Sequence, residues 1–413
     1  MQVVVSQKGA REHFLAARAL HRCGALAQLV VDWYAPSSIL LRVFASLCFG
    51  RTGKSASAAW TDEIPKEFIR PLRLLGLRCR CQERSAVRNG RSYEGYVRTD
   101  ELFASSVARL DLPPHNVFFG YSYASLEILE VERSRGVFTI LGQIDPGAVE
   151  FRVVADEMAC FPELAGAPAS FPSTYYERNG REWKLADLII VNSEWSREAI
   201  ITEGADESKI KVLPLAFETR AETLKYETSA YRTPISDLRP LKVLWLGQVN
   251  VRKGIHYLME AAKLLEGASV HFDVVGTIGI LPGALASAPR NMTFHGSVSR
   301  DHATEWYRKN DLFVLPTLSD GFAITQLEAL AHGLPLITTP NCGRVVENGR
   351  TGFVVPPRDP KSLAEAITRF VRNRDLIHQM RPHCLEAVNA YSIKAYGEGL
   401  KRLIEEHRSK SIS

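Results

Sequence analysis

The chain reads as an α/β protein with one doubly wound parallel sheet in each half and a cleft between them. Three observations predict this. Short apolar runs alternate with stretches of helical period along both halves, the pattern of buried parallel strands joined by crossover helices. That alternation breaks at a polar stretch, 223–240, punctuated by Pro234 and Pro240, and restarts on Lys242-Val243-Leu244-Trp245-Leu246. At 413 residues the chain is also too long for one ordinary core and suits two domains of roughly 200 residues.

In the first half, residues 2–6 form an apolar strand, Gly9 makes the turn, and 12–23 have helical periodicity through Phe14, Leu15, Ala17 and Leu20. A second apolar run follows at 26–31. Further strands are expected at 116–119, 138–141 and 188–191, the last followed by a helix capped by Asn192 or Ser193. Residues from about 35 to 110 are less regular and read as a substrate-specific excursion. In the second half, strand 242–246 leads to helix 255–265, strand 270–275 and a short strand at Met292. Helix 303–308, strand 312–315, helix 326–332 and strand 336–338 follow, and helices 362–372 and 394–407 close the chain. The expected organisation is a Rossmann-like domain over 1–222, a linker at 223–240 and a second Rossmann-like domain over 241–390. The final helix, 391–413, has the length to cross back to the first domain. Ligands of such sheets bind beyond the carboxyl ends of the strands.

Hydrophobic residues make up 46% and charged residues 23%, without biased tracts, so a folded soluble protein is expected. The net charge of +5 is mild but uneven: Arg70, Arg73, Arg78, Arg80, Arg84, Arg88 and Arg91 crowd one stretch. Such a stretch suits an anionic membrane or acceptor, or is simply a solvated face; nucleic acid is not the expected partner. The seven cysteines are scattered, and Cys79-Arg80-Cys81 is too close for a metal knuckle, which fits reduced thiols in the cytosol. The chain opens on an apolar strand rather than a signal peptide, and no window of about 18 apolar residues is free of charge. Residues 37–50 are apolar but interrupted by Arg42, and could at most lie in a membrane interface. Gly50-Arg51-Thr52-Gly53-Lys54-Ser55 echoes a phosphate-binding loop, but its first glycine would fall on Cys48 and no strand precedes it, so coincidence is the better reading.

The chemistry concentrates after the strands of the second half. Gly247-Gln248-Val249-Asn250-Val251-Arg252-Lys253-Gly254 offers glycines for close backbone approach and two adjacent cations for a diphosphate. After strand 312–315 comes Ser319-Asp320-Gly321-Phe322-Ala323, opening a helix that carries Glu328. The free N–H groups of that helix start can receive phosphate or sugar oxygens, and the two carboxylates can hold separate hydroxyl-bearing parts of one ligand. Read alone, Asp320 is equally an N-cap and Glu328 a solvated helix position. Gly333-Leu334-Pro335 ends the helix.

In the order and spacing of Arg252-Lys253-Gly254, Asp320 to Glu328 and Gly333-Leu334-Pro335, residues 241–372 resemble the donor domain of the family-4 retaining glycosyltransferases, glycosyl transferases group 1, which have the GT-B fold. The resemblance implies that Lys253 contacts the donor diphosphate, Glu328 the ribose hydroxyls and Asp320 the transferred sugar, while the backbone at Gly321, Phe322 and Ala323 binds sugar or phosphate oxygens. Two positions depart from the family: Asp320 stands where a glutamate is usual, and Gln248 where an arginine often follows the loop's glycine. Arg252 can supply that missing charge.

The first half resembles the family more weakly. Gly9 lies in the turn that related enzymes bring to the donor, and Arg11 and His13 beside it can touch donor phosphate or acceptor. Asp145, in the turn Asp145-Pro146-Gly147, can position an acceptor hydroxyl, although that tripeptide is also an ordinary turn. The resemblance implies transfer of a sugar from a UDP- or GDP-sugar to an acceptor hydroxyl with retention, in polysaccharide, lipopolysaccharide or glycolipid synthesis. Asp320, Lys253, Arg252 and Asp145 are the candidate catalytic groups. No metal or cofactor is expected, and the acceptor is a saccharide or lipid-linked, with room for peripheral contact at the inner membrane face. The alternatives are a nucleotide-sugar epimerase of the same fold and a non-catalytic sugar-nucleotide-binding protein.

Overall fold

A strand sheltered by helices on both faces is mostly apolar, and Val3–Gln7 (β1), apolar through Val5, is buried at all its positions. The computed structural model describes residues 1–34, 60–218 and 239–412. In it, β1 is central to a seven-stranded parallel sheet of order β3-β2-β1-β4-β5-β6-β7. The other members are Leu26–Val31 (β2), Ile69–Pro71 (β3), Val117–Tyr121 (β4), Phe138–Gln143 (β5), Leu188–Val191 (β6) and Ile210–Val212 (β7). A second sheet, also parallel, has the order β10-β9-β8-β11-β12-β13. It comprises Leu241–Leu246 (β8), Val270–Val275 (β9), Met292–Gly296 (β10), Leu312–Leu315 (β11), Leu336–Thr338 (β12) and Gly352–Val354 (β13). Strand order reverses between β1 and β4 in one sheet and between β8 and β11 in the other. At such switch points the crossover helices diverge and leave a crevice beyond the strand ends. The second sheet's switch point therefore receives the basic loop after β8 and the acidic loop after β11.

The two halves are interlocked. The last helix, Ile393–Ile412, packs against the helix Leu15–Arg22 of the first half and buries Tyr396, Leu400 and Ile404 in that half's core. In the opposite direction, the helix Ala148–Cys160 and the following turn Pro162–Ala165 leave the first sheet and join the core of the second, where Leu164 is buried. Glu157 fastens this arm. Its carboxylate accepts hydrogen bonds from His256 Nε2 (2.9 Å), Tyr257 Oη (2.5 Å) and Arg358 Nε (2.6 Å). Burial alone would raise its pKa, but the hydrogen bonds from His256, Tyr257 and Arg358 hold it down at about 2.

Two expectations are corrected. The first helix begins at Leu15, not at residue 12, because Glu12, His13 and Phe14 adopt left-handed backbone in a tight turn, Arg11–Phe14. Phe14 is driven into the core, where it meets the Tyr34 ring at 5.6 Å, and that burial overrides the helical spacing. The stretch from 60 to 110 is not irregular: it holds two long helices, Arg73–Arg88 and Ser92–Ala108. In the first the inward residues are few and small, with Gly76 and Cys79 buried, so its arginines conceal the period. Strands β3, β7 and β13 and the helix Asp375–Val388 also go unforeseen. Residues 223–238 of the expected linker, the apolar run 37–50 and the loop 50–55 lie outside the described residues. Among the described residues, no helix is long and apolar enough to cross a membrane.

Candidate functional site

The basic loop is shaped by its own backbone needs. Asn250 Oδ1 accepts the Lys253 N–H (3.1 Å) and caps the short turn Val251–Lys253. Gly254 then takes φ +69°, and a side chain there would collide with the Pro316 carbonyl at the end of β11. This close approach brings Arg252 and Lys253 against the loop that follows β11. Lys253 Nζ is paired with Asp320 Oδ2. Arg252 Nη1 lies 3.7 Å from the same oxygen and donates to the Ser319 carbonyl at 3.2 Å. Burial, first, and the Arg252 guanidinium, second, push the Lys253 pKa down to about 7.

Asp320 performs its structural task with its other oxygen. Oδ1 accepts the backbone N–H groups of Phe322 (3.3 Å) and Ala323 (3.1 Å), holding Ala323 at φ +62°. Both the capping role and the cleft-facing role therefore belong to one carboxylate. Glu328 projects from the first turn of the helix Thr325–Ala331, and Tyr307 Oη donates to its Oε2 at 2.7 Å, fixing its direction. That helix ends where Gly333 takes φ +66° and the Leu334 N–H reaches back to the Ala329 carbonyl.

A cavity of about 910 Å³ lies between the halves, and its second-half wall includes Lys253, Asp320, Gly321, Phe322, Ala323 and Glu328, whereas Arg252 is not on the wall. Phe322 is otherwise buried, and its ring lies where a side chain on Gly343 would have to go. Glu328 also borders a neighbouring cavity of about 350 Å³, formed with Gln248, Gly276, Thr277 and Ser297. The opposite wall of the larger cavity carries Arg11, Glu12, His13, Ile144 and Asn192. Gly9 stands behind that wall rather than on it, donating its N–H to Asp32 Oδ1 at 2.6 Å. Asp145 is likewise not on the wall. Its carboxylate is engaged by Tyr123 Oη (2.8 Å), the Gly147 N–H (3.0 Å) and Gln143 Nε2 (3.2 Å), and burial raises its pKa. The turn brings the Ile144 backbone, not the Asp145 side chain, to the cavity.

Sequence reasoning missed the groups that join the two walls. Glu150, in the first turn of the helix Ala148–Cys160, accepts from Ser319 Oγ (3.0 Å) and lies 3.5 Å from Arg252. Trp195 Nε1 donates to the same Ser319 hydroxyl at 3.0 Å. Only the Asp-Pro-Gly turn directly before Ala148 hinted that an acid would enter the cleft there. Gly321 also packs closely against the first half: an added Cβ would stand 2.6 Å from the Ile144 carbonyl. Gly321→Ala is expected to leave the melting temperature within about 2 °C, since each half keeps its core. The same change should cut the catalytic rate at least about tenfold, because a sub-ångström shift of facing walls misplaces reacting groups. Differential scanning fluorimetry and an initial-rate assay check the pair. Among the described residues, no three His, Cys, Asp or Glu side chains gather to hold a metal ion.

Two facing parallel-sheet domains with a cleft at their switch points define the GT-B fold. Residues 240–373 match the family model described as Glycosyl transferases group 1. Over 204 residues the chain is 27% identical to the capsular polysaccharide biosynthesis glycosyltransferase CapM of Staphylococcus aureus, covering 46% of this chain and 53% of that protein. Over 202 residues it is 28% identical to the D-inositol 3-phosphate glycosyltransferase of Paenarthrobacter aurescens, covering 44% and 48%. The match thus spans about half the length of these curated relatives. Similarity of structure extends over both halves. The sucrose-phosphate synthase of Thermosynechococcus elongatus superposes with a TM-score of 0.63 at 17% identity, over 99% of this chain and 100% of that one. Anabaena HepE in complex with UDP-glucose does so with a TM-score of 0.57 at 14% identity, over 98% and 100%.

Proposed function

We propose that this chain is a glycosyltransferase that moves a sugar from a UDP- or GDP-sugar to an acceptor hydroxyl with retention at the anomeric carbon. The observation that carries the reading is the convergence of Lys253, Asp320 and Glu328 on one cavity at the second sheet's switch point, with Arg252 beside Asp320 just off its wall, within the stretch that matches the family. Glu328, steadied by Tyr307, has the reach to hold ribose hydroxyls where the two cavities meet. Lys253 and Arg252 would exchange their carboxylate partners for the diphosphate and stabilise its growing charge as it leaves. The departing phosphate would take the acceptor's proton on the same face of the sugar. Asp320 and the backbone at Gly321–Ala323 would position that sugar.

The role proposed is in polysaccharide, lipopolysaccharide or glycolipid synthesis, by analogy with the capsular relative, with a saccharide or lipid-linked acceptor presented at the inner face of a membrane. The working division of the chain is an acceptor-side domain over 1–222, a linker, and a donor domain over 241–390, with the terminal helix returning to the first. The test is a thermal-shift screen of nucleotide sugars against wild type and Glu328→Gln. The correct donor should raise the wild-type melting temperature by several degrees through mass action. Loss of the ribose contacts should weaken donor affinity about tenfold or more in the variant. Equal shifts in the two proteins, or no shift with any donor, would refute the assignment.

A further inference from the structure

Three consecutive residues that are not glycine, Glu12, His13 and Phe14, hold φ of 49°, 52° and 61°. L-residues avoid this region because Cβ crowds the following carbonyl, and such departures gather where a fold needs a side chain aimed in a particular direction. Here the aim is visible. Phe14 is wholly buried on one side of the turn, and on the other Arg11, Glu12 and His13 form the wall that faces Lys253 and Asp320 across the main cavity. The Glu12 carboxyl accepts a 3.3 Å hydrogen bond from Tyr121 Oη at the end of β4. Tyr396 of the last helix shares a small inner cavity with Glu12 and Tyr121. Burial pushes the acid up to about 7, against the opposing pull of Tyr121 and Arg11. A neutral carboxyl both donates and accepts a hydrogen bond, which suits a sugar hydroxyl, and it does not repel a diphosphate in the same cavity.

We propose that Glu12 is a sugar-specificity residue: from the first-half wall it hydrogen-bonds a hydroxyl of the sugar carried on the donor, whose diphosphate is held by the second half. This rests on the nucleotide-sugar reading above and extends it to a residue of the first-half turn, outside the donor-domain motifs. The turn that distorts residues 12–14 is the device that sets Glu12 on the wall of this cavity.

The test is calorimetric and needs no acceptor. Binding of UDP, GDP, UDP-glucose, UDP-galactose and GDP-mannose is measured for wild type, Glu12→Ala, Glu12→Asp and Glu12→Gln. For the sugar nucleotide that wild type prefers, the ratio of its Kd to that of the bare nucleotide should rise about tenfold in the alanine and aspartate variants. Discrimination between the hexoses should shrink with it. The glutamine variant, which keeps the length and a donor and acceptor pair, should stay within about threefold of wild type. Affinity for UDP or GDP alone should be unchanged throughout. An unchanged ratio in both Glu12→Ala and Glu12→Asp overturns the proposal, as does equal weakening of nucleotide and sugar nucleotide. If Glu12→Ala fails to fold, the aspartate and glutamine variants decide it. If wild type binds none of the five ligands, the parent reading fails and this one falls with it.

Discussion

Lys253→Ala is expected to abolish the donor-induced rise in melting temperature and to lower kcat/KM by about 10²–10³, the usual effect of removing one preorganised donor from a developing anion. The unliganded protein should melt close to wild type. The variant loses the Lys253–Asp320 pair, but it also removes a buried cation adjacent to a second one, and Asp320 keeps its two backbone donors and the nearby Arg252 guanidinium. Function and stability should therefore separate in this variant. The pH dependence follows from the depressed ammonium. With its pKa pushed down to about 7 by burial and Arg252, Lys253 is protonated below that pH and increasingly neutral above it. A bound diphosphate favours the charged form, so wild-type donor affinity should weaken as pH rises through 7, by up to about tenfold per unit. Calorimetric titrations between pH 6 and 9 should show this slope in wild type and its absence in Lys253→Ala. A flat wild-type profile would mean that Lys253 stays charged throughout and that the diphosphate does not depend on its titration.

Gly254→Ala should have the largest effect on stability. The residue holds φ +69°, a conformation that costs an alanine about 1–2 kcal/mol. Its new methyl would occupy the space of the Pro316 carbonyl, backbone that cannot rotate away. Overpacking of that kind adds about 1–3 kcal/mol. A drop in melting temperature on the order of 10 °C is the expected result, read by fluorimetry on the purified variant. Donor binding should fall as well, because relief of the clash separates the loop bearing Lys253 from the loop bearing Asp320. A variant that melts like wild type would show that these two loops are not in the contact described.

The second half was the more legible in sequence, for a physical reason. Its strands are largely apolar, its loops sit directly after them, and Lys253, Asp320, Glu328 and Gly333 owe their placement mostly to near neighbours in the chain. Strands β9, β11 and β12 accordingly begin and end at the residues the sequence pattern marks. The first half hid more. Apolar spacing from Glu12 onward describes a helix, and only the burial of Phe14 against Tyr34 turns those residues left-handed. The helix Arg73–Arg88 buries few side chains, so its period is faint. Glu150, Ser319 and Trp195 meet across 124 or more residues of chain, a proximity that no local pattern encodes. Asp145 illustrates the converse: its proximity to the cleft was readable, but the claims of Tyr123 and Gly147 on its carboxylate were not.

The arm that carries Glu157 into the second core has a consequence for recombination. A chimera cut at the polar stretch near residue 230 would seem to exchange whole modules, yet it would leave residues 148–165 covering a stranger's helix. His256, Tyr257 and Arg358 of the new half would have to meet an unmatched acid, and Leu164 an unmatched hollow. Grafts between relatives should therefore move 148–165 together with the donor half, or preserve the residues at 157, 256, 257 and 358 as a set. The unit of exchange in this fold is discontinuous, stitched at two places rather than divided at one.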